Sequence, residues 1–367
     1  MSMATVLDDD LPDWQKLLPG QVMQSGVYFG LDEEAYHRAF ALSASGIKHL
    51  RVTGLDFWAR SVLNPRLADV QEEEGDSEVL AIGRAYDTRI VSGAEAFRAH
   101  FAPEIDPAAY PKALRTVEDL KGRLRELDLK TTGNKPALID MLLAADPTAQ
   151  IWEVIQAGYE ARHAGKEFLP ARLIAKIEIA AAMIEKHPTL SKAFTGGSPQ
   201  VSIFWVDKTH GVPCKARLDY LKGSAIVDLK SFGNPYGRPL EVAIPREIAS
   251  RKYHVQAAMY DEGASHVADF IKAERVFGKA DPALITALAR NAPKTFLFVF
   301  QMKGPAPVAR GITLPKESLT FRIGQSEIDT AKQAFRANWE KYGTDPWVDD
   351  SPITALDDAA VPPWSLE

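Results

Sequence analysis

Cysteine is all but missing: Cys214 stands alone in 367 residues. A lone thiol excludes an internal disulfide, and such usage fits a reducing compartment. No apolar run reaches the roughly 20 residues that a helix needs to cross a bilayer. The opening residues, Met1 to Asp10, lack the basic-then-apolar layout of a secretory leader and end in three aspartates. Positive charge is not in excess either. Lys and Arg number 43 against 49 Asp and Glu, a net charge of −6. That balance opposes indiscriminate nucleic-acid binding over the whole surface, while leaving room for a local basic channel. These absences predict a soluble, cytoplasmic protein without a membrane role. What is present is apolar material, 46% of the chain, enough for one large core or two modest ones.

The chemistry gathers between Cys214 and Lys230. On the first flank Lys215, Arg217 and Asp219 alternate with Cys214, Ala216 and Leu218; on the second, Ile226, Asp228 and Lys230 alternate with Val227 and Leu229. Period-two alternation is the mark of half-buried strands. Gly223-Ser224 between them suits a two-residue hairpin loop that begins with glycine. Counting outward opposes Lys222 to Ala225 and Asp219 to Asp228. Two carboxylates facing each other on a ladder repel. Their retention invites a cation, and an all-oxygen donor set favours Mg²⁺, with Mn²⁺ as a substitute, over zinc. Lys230, on the same face, would sit beside that cation, where an ammonium can orient a water and offset charge developing on a phosphate. The same spacing also suits an exposed hairpin face carrying ordinary mixed charge.

Asp219…Asp228-Leu-Lys230 resembles the catalytic core of PD-(D/E)xK nucleases, and Gln256-Ala-Ala-Met-Tyr260 resembles the Gln-x-x-x-Tyr helix of their RecB-like branch. With the Leu42-Ser-Ala-Ser-Gly-Ile47 entry and the Trp347 to Trp364 tail, the pattern is similar to RecE-type (exodeoxyribonuclease VIII-like) exonucleases from about Leu42 to Trp364. The resemblance implies an α/β fold, a mixed central sheet flanked by helices. It implies metal ligation by Asp219 and Asp228, water activation or orientation by Lys230, and substrate positioning by Gln256 and Tyr260. The helix from Val79 to Ile90 matches one that carries Gly-x-x-x-His in relatives. Here Gly83 is followed at that distance by Asp87, a hard-metal donor in place of histidine, which makes Asp87 a third candidate ligand and puts metal number in question. A solvated helix residue is the competing reading.

Residues 103–147 interrupt the nuclease pattern. Leu127-x-Leu129, Gly133-x-Lys135 and Leu138-Ile-x-x-Leu142 resemble a SAP motif, a small helix-extended-helix DNA-binding module. Between Lys112 and Lys135 seven Lys/Arg oppose four Asp/Glu, a local excess of three positive charges. Lys121, Arg123, Lys130 and Lys135 are the phosphate-contact candidates there, and Arg217 and Tyr253 those beside the hairpin. A helical hairpin used only for packing is the alternative.

The expected layout is a lead-in over 1–40, a nuclease domain over 41–102 and 148–367, and the SAP-like insertion over 103–147. Helices are expected from Leu42 to Asn64, from Ile151 to Phe194, from about Arg246 to Gly263 and from Ser326 to Tyr342, with a loop over Gln71–Ser77. Thr295 to Gln301 reads as a buried strand with a neighbour over Pro305–Leu314. Glu178 and Glu185 are not expected to ligate. The leading functional expectation is a metal-dependent exonuclease on linear double-stranded DNA. The resemblance adds 5′→3′ polarity, a RecT-type annealing partner and homo-oligomers as in relatives. The rivals are a RecB-like endonuclease and a non-catalytic DNA-binding recombination factor.

Overall fold

The structure, a computed structural model, describes residues 23–74, 78–290, 293, 295–357, 359 and 361. Most of the lead-in and the final Trp364 lie outside the described residues. The chain begins with β1 (Gly26–Phe29) and α1 (Glu33–Arg38), whose N-cap Asp32 accepts from the Ala35 N–H at 3.1 Å. α2 (Ala44–Leu50) follows. Ser43 caps it, its Oγ accepting the Gly46 N–H at 3.1 Å. The single helix expected up to Asn64 is broken, because Thr53 starts α3 (Gly54–Ala59) with a cap of its own to the Asp56 N–H at 3.0 Å. α4 (Leu67–Glu74) takes up Gln71–Glu74 of the stretch expected to be a loop; residues 75–77 lie outside the described residues. α5 (Glu78–Asp87) then ends in a π turn over Thr88–Ser92.

Next come α6 (Gly93–His100), β2 (Phe101–Pro103), α7 (Val117–Glu126), α8 (Lys135–Ala145), α9 (Trp152–Arg162), β3 (Glu167–Leu169) and α10 (Ala171–Glu185). The helix expected over Ile151–Phe194 is therefore split. Gly165 turns the chain at φ 78, and Pro170 precedes the second half. β4 (Gly197–Asp207) leads into β5 (Val212–Lys222) and β6 (Ala225–Phe232), the two strands of the predicted hairpin. α11 (Leu240–Arg251) and α12 (Tyr253–Ser265) replace one expected helix. Lys252 between them adopts the left-handed conformation, φ 57 and ψ 38, which bends the chain. α13 (Val267–Lys272), β7 (Val276–Gly278), α14 (Pro282–Arg290), β8 (Thr295–Met302), β9 (Ala309–Thr313) and α15 (Leu319–Tyr342) complete the chain. α15 starts seven residues before expectation because Ser318 caps it through the Phe321 N–H.

Two compact units result, Met1–Gly83 with Met183–Glu367, and Arg84–Ala182. The first is a mixed sheet in the order β7-β1-β4-β5-β6-β8-β9, flanked by helices. β6 and β8 run parallel in register from Ala225↔Thr295 to Phe232↔Met302, and β9 closes antiparallel on β8. β8 is the buried strand its run of apolar residues predicts, with Phe296, Phe298, Val299 and Phe300 all inside. The main core joins Leu218, Ile226 and the β8 phenylalanines to Val255 and Met259 of α12 and to Phe321, Ile328 and Phe335 of α15. Trp347 is wholly buried, its ring stacked on Phe57 at 5.1 Å. Lys332 of α15 lies buried among this apolar material. Its Nζ meets Asp207 Oδ1 at 2.9 Å and Glu262 Oε1 at 2.6 Å, and Trp205 Nε1 donates to the same Glu262 oxygen at 2.9 Å. One lysine thus links β4, α12 and α15.

The second unit holds the parallel pair β2–β3 and two small cores. Ala85, Phe97, Phe101, Leu169 and Ile177 make one. Leu120, Leu124, Leu138, Leu142 and Ile151 make the other, and it joins the two helices predicted from leucine spacing. Glu178, not expected to be a ligand, is held by Arg89 at 2.8 Å.

Candidate active site

The hairpin forms with the register counted from its loop. Tyr220 pairs with Val227 and Leu221 with Ile226. The ladder stops there, and this corrects the expectation of two carboxylates opposed on continuous sheet. Beyond Val227, β6 keeps its full register with β8 but leaves β5. Strict alternation also fails at this point, since Leu218 and Leu221, three residues apart, both enter the main core. Gln200 on the neighbouring strand, falling between the pairs Pro199↔Tyr220 and Val201↔Leu218, takes φ 50. A non-glycine residue in that region breaks the pleat, and such distortions gather at functional sites. The Asp219 carboxylate spans the opening: its Oδ2 accepts the Leu229 N–H at 2.8 Å.

Asp228 is wholly buried. Its Oδ1 accepts from Gln256 Nε2 at 3.2 Å, and its Oδ2, lacking a hydrogen bond, lies 2.6 Å from Lys230 Nζ. Burial raises the Asp228 carboxyl above the usual carboxylate range, and the Lys230 charge offsets part of that rise. Burial by itself would lower the Lys230 ammonium. The charges of Asp228 and Asp219 outweigh it and hold the amine above its ordinary value, hence protonated. The Tyr253 ring lies 4.8 Å from Lys230 Nζ. Tyr260 stands one helical turn past Gln256, and burial, then Asp219 and Asp228, raise its phenol well above the usual value. One site thus gathers Asp219, Asp228, Lys230, Tyr253, Gln256 and Tyr260.

Two elements deliver these groups. β6 fixes Asp228 and Lys230 through its unbroken pairing with β8. α12 projects Tyr253, Gln256 and Tyr260 along one side by three- and four-residue spacing. Its first turn is anchored by Glu327 of α15, which pairs with Lys252 at 3.3 Å, His254 at 3.6 Å and Arg51.

Other candidates fall elsewhere. Arg217 is half-buried and donates to Gln200 Oε1 at 3.0 Å and the Leu31 carbonyl at 2.9 Å, so its guanidinium braces the sheet. Asp87 is the last residue of α5 and belongs to the second unit. In that unit Lys121 pairs with Glu118 at 3.6 Å, and Arg123 with Glu126 at 2.8 Å and Asp146 at 2.9 Å. Lys135 donates to the Arg115 carbonyl at 2.6 Å and pairs with Glu153. Lys130 is exposed, with no partner among the described residues. Sequence reasoning missed Lys48 of α2, which lies 5.9 Å from the Tyr253 ring. Helical spacing gave no signal for it, because its neighbours come from β6 and α12.

Among the described residues no three His, Cys, Asp or Glu side chains gather into a metal cage. Two carboxylates still fit Mg²⁺, which completes its shell with waters and substrate phosphates rather than protein groups. The buried Asp228 carboxylate, whose Oδ2 faces only the Lys230 ammonium at 2.6 Å, is the donor such an ion would use.

Residues 153–296 match the family model of a PDDEXK-like domain of unknown function (DUF3799). The span contains Asp219, Asp228, Lys230 and Gln256. Residues 113–146 match the SAP domain. The chain carries a PDDEXK-like domain and a SAP domain. A solved structure it resembles is that of a "putative exonuclease" from Eubacterium rectale, at 15% identity and a TM-score of 0.32, covering 64% of this chain and 85% of that one. No curated protein matches the chain. Among the described residues no helix is long and apolar enough to cross a membrane.

Proposed function

We propose that the PDDEXK-like domain is a metal-dependent nuclease that digests linear double-stranded DNA from its ends, 5′→3′, leaving 3′ single strands for a RecT-type annealing partner. The observation that carries the nuclease reading is the buried Asp228 with Lys230 at 2.6 Å, beside Asp219 at the point where β5 and β6 part. Asp219 and Asp228 hold the metal. When bound, Mg²⁺ or Mn²⁺ supplies Lewis acidity and a lowered water pKa. Gln256 orients the Asp228 carboxylate by its bond to Oδ1. Lys230 activates or orients the water and supplies positive charge beside a phosphate oxygen. Tyr253 and Tyr260 shape the substrate side. The SAP domain contributes phosphate contacts that hold DNA without reading its sequence.

The experiment is digestion of linear and covalently closed circular duplexes with Mg²⁺, carrying separate 5′ and 3′ labels, with Lys230→Ala alongside. The expected result is early 5′-label release from linear DNA only, abolished in the variant. Cutting of the closed circle makes the chain an endonuclease. A second reading, a non-catalytic DNA-binding factor, takes its support from Asp87 standing where the resemblance places histidine. It predicts DNA binding with no Lys230-dependent cutting in Mg²⁺ or Mn²⁺.

A further inference from the structure

Three cations crowd one edge of the site. Lys230 Nζ lies 4.8 Å from the Tyr253 ring, and Lys48 Nζ lies 5.9 Å from the same ring. Arg251, two residues before Tyr253, adds its charge, with Glu247 at 3.2 Å beside it. Lys230 is matched by Asp228 and Arg251 by Glu247. Lys48 is matched by nothing: among the described residues it has no hydrogen-bond or ion-pair partner. Burial, then repulsion from Lys230 and Arg251, lowers its ammonium, and Asp228 pulls back only in part. An unpaired cation held against two others is unfavourable unless an anion joins them. Packing does not require it, since Lys48 is solvent-accessible on α2 while the apolar face of that helix turns Ala44, Ile47 and Leu50 inward.

The geometry points to Lys48 as a phosphate-binding residue: a backbone phosphate of the bound strand sits between Lys48 and Lys230, over the edge of Tyr253. This rests on the nuclease reading and deepens it by placing the strand on the α2 side of the site. Tyr253 serves as a shared wall. Its ring attracts both ammonium groups, and each can donate to a different oxygen of one phosphate. Lys48 is a binding residue here, not one that takes part in proton transfer.

The test measures binding of a short linear duplex across a salt series in an Asp228→Asn background, and steady-state cutting in the otherwise native chain. Lys48→Met is expected to weaken binding about threefold to tenfold and to lower the salt slope by about one, the signature of one lost phosphate contact. In the cutting assay KM should rise with little change in kcat. Lys48→Arg should restore both, which a merely structural role would not explain, and thermal stability should not move. If Lys48→Met leaves slope, affinity and KM unchanged while the native chain cuts DNA, this inference fails and the nuclease reading stands. If the native chain cuts nothing but Lys48→Met still lowers the slope, the nuclease reading fails and the phosphate contact stands. A chain that does not bind DNA overturns both.

Discussion

Asp219 on β5 and Leu229 on β6 are joined by a single bond, the backbone N–H donating to Oδ2 at 2.8 Å just where the ladder between their strands has ended. The side chain replaces the missing main-chain pair and leaves the carboxylate charge at the mouth of the opening. Structure and chemistry can therefore be separated. Asp219→Asn keeps an acceptor and should fold within about 0.5 kcal/mol of the native chain while losing nuclease activity. Asp219→Ala removes the acceptor as well and should cost about 1–2 kcal/mol more. Denaturant melts alongside digestion assays check this. Equal stability of the two variants would mean the bond to Leu229 contributes nothing.

The Asp228–Lys230 pair should show strong coupling. Removing Lys230 leaves a buried carboxylate without its counter-charge, which costs about 3–5 kcal/mol when a buried pair is broken. Lys230→Met should therefore destabilise strongly, and Asp228→Asn/Lys230→Met should recover much of that loss. A double-mutant cycle by urea melts reads the coupling directly. Additive effects would show that the two charges do not interact in the folded chain. Activity should be lost in all three variants.

How much of this was legible follows from which interactions are local. The hairpin register came from a two-residue loop and counting, and it is right at Tyr220↔Val227 and Leu221↔Ile226. Counting could not show that β6 would leave β5 after two pairs, because the cause is the parallel pairing with β8, more than sixty residues away in the chain. Gln256 and Tyr260 were legible by helical spacing, whereas the bend at Lys252 that aims them depends on Glu327 in α15. The hydrogen bond of Arg217 was not legible, because alternation shows which face a residue takes and the carbonyl of Leu31 that accepts it belongs to another segment. Lys48 was silent for the same reason.

Acid should loosen the first unit through Asp207. Burial pushes its carboxyl up, but the Lys332 hydrogen bond and charge more than reverse this, leaving it below the usual value. A carboxylate depressed in the folded state stabilises above its unfolded pKa, near 3.9, and loses that contribution as pH falls through the folded value. Lys332 behaves in the opposite sense. Burial lowers it, the surrounding negative charges, Glu262 among them, reverse that, and its contribution is lost only above about pH 10.5. The stability difference between the native chain and Asp207→Asn should be flat from about pH 5 to 9 and shrink in acid. Urea melts across pH check it. A gap that persists unchanged to pH 2 would remove Asp207 as the cause.

In the SAP domain, two lysines proposed for DNA contact should behave differently. Lys130 is exposed without a partner among the described residues, so Lys130→Ala should weaken duplex binding a few-fold and lower the salt slope by about one without changing stability. Lys135 is engaged with the Arg115 carbonyl and Glu153. Lys135→Ala should therefore affect the fold of the domain by about 1 kcal/mol and binding mainly through that. Salt-dependent binding and thermal melts of the full chain distinguish the two. A Lys135→Ala variant with native stability and a reduced slope would make it a phosphate contact after all.

Glu327 offers the sharpest separation between holding the site and forming it. Its carboxylate meets Arg51, Lys252 and His254, so one anion on α15 draws together the end of α2 and the α11–α12 bend. Lys252 sits there at φ 57, a conformation that costs a non-glycine residue about 1–3 kcal/mol unless its surroundings impose it. With Glu327→Ala the Arg51 and Lys252 charges remain without their anion and the bend has less to hold it. The next two residues that matter, Tyr253 and Gln256, lie within four positions of Lys252. Relaxation of the bend moves them away from Asp228 and Lys230 without touching either. The expected outcome is a loss of about 2 kcal/mol in stability together with a drop in kcat greater than any change in KM. Lys252→Gly should restore part of the stability, because glycine adopts the left-handed conformation without strain. If Lys252→Gly in the Glu327→Ala background recovers nothing, the bend is fixed by packing alone and Glu327 is an ordinary surface ion pair.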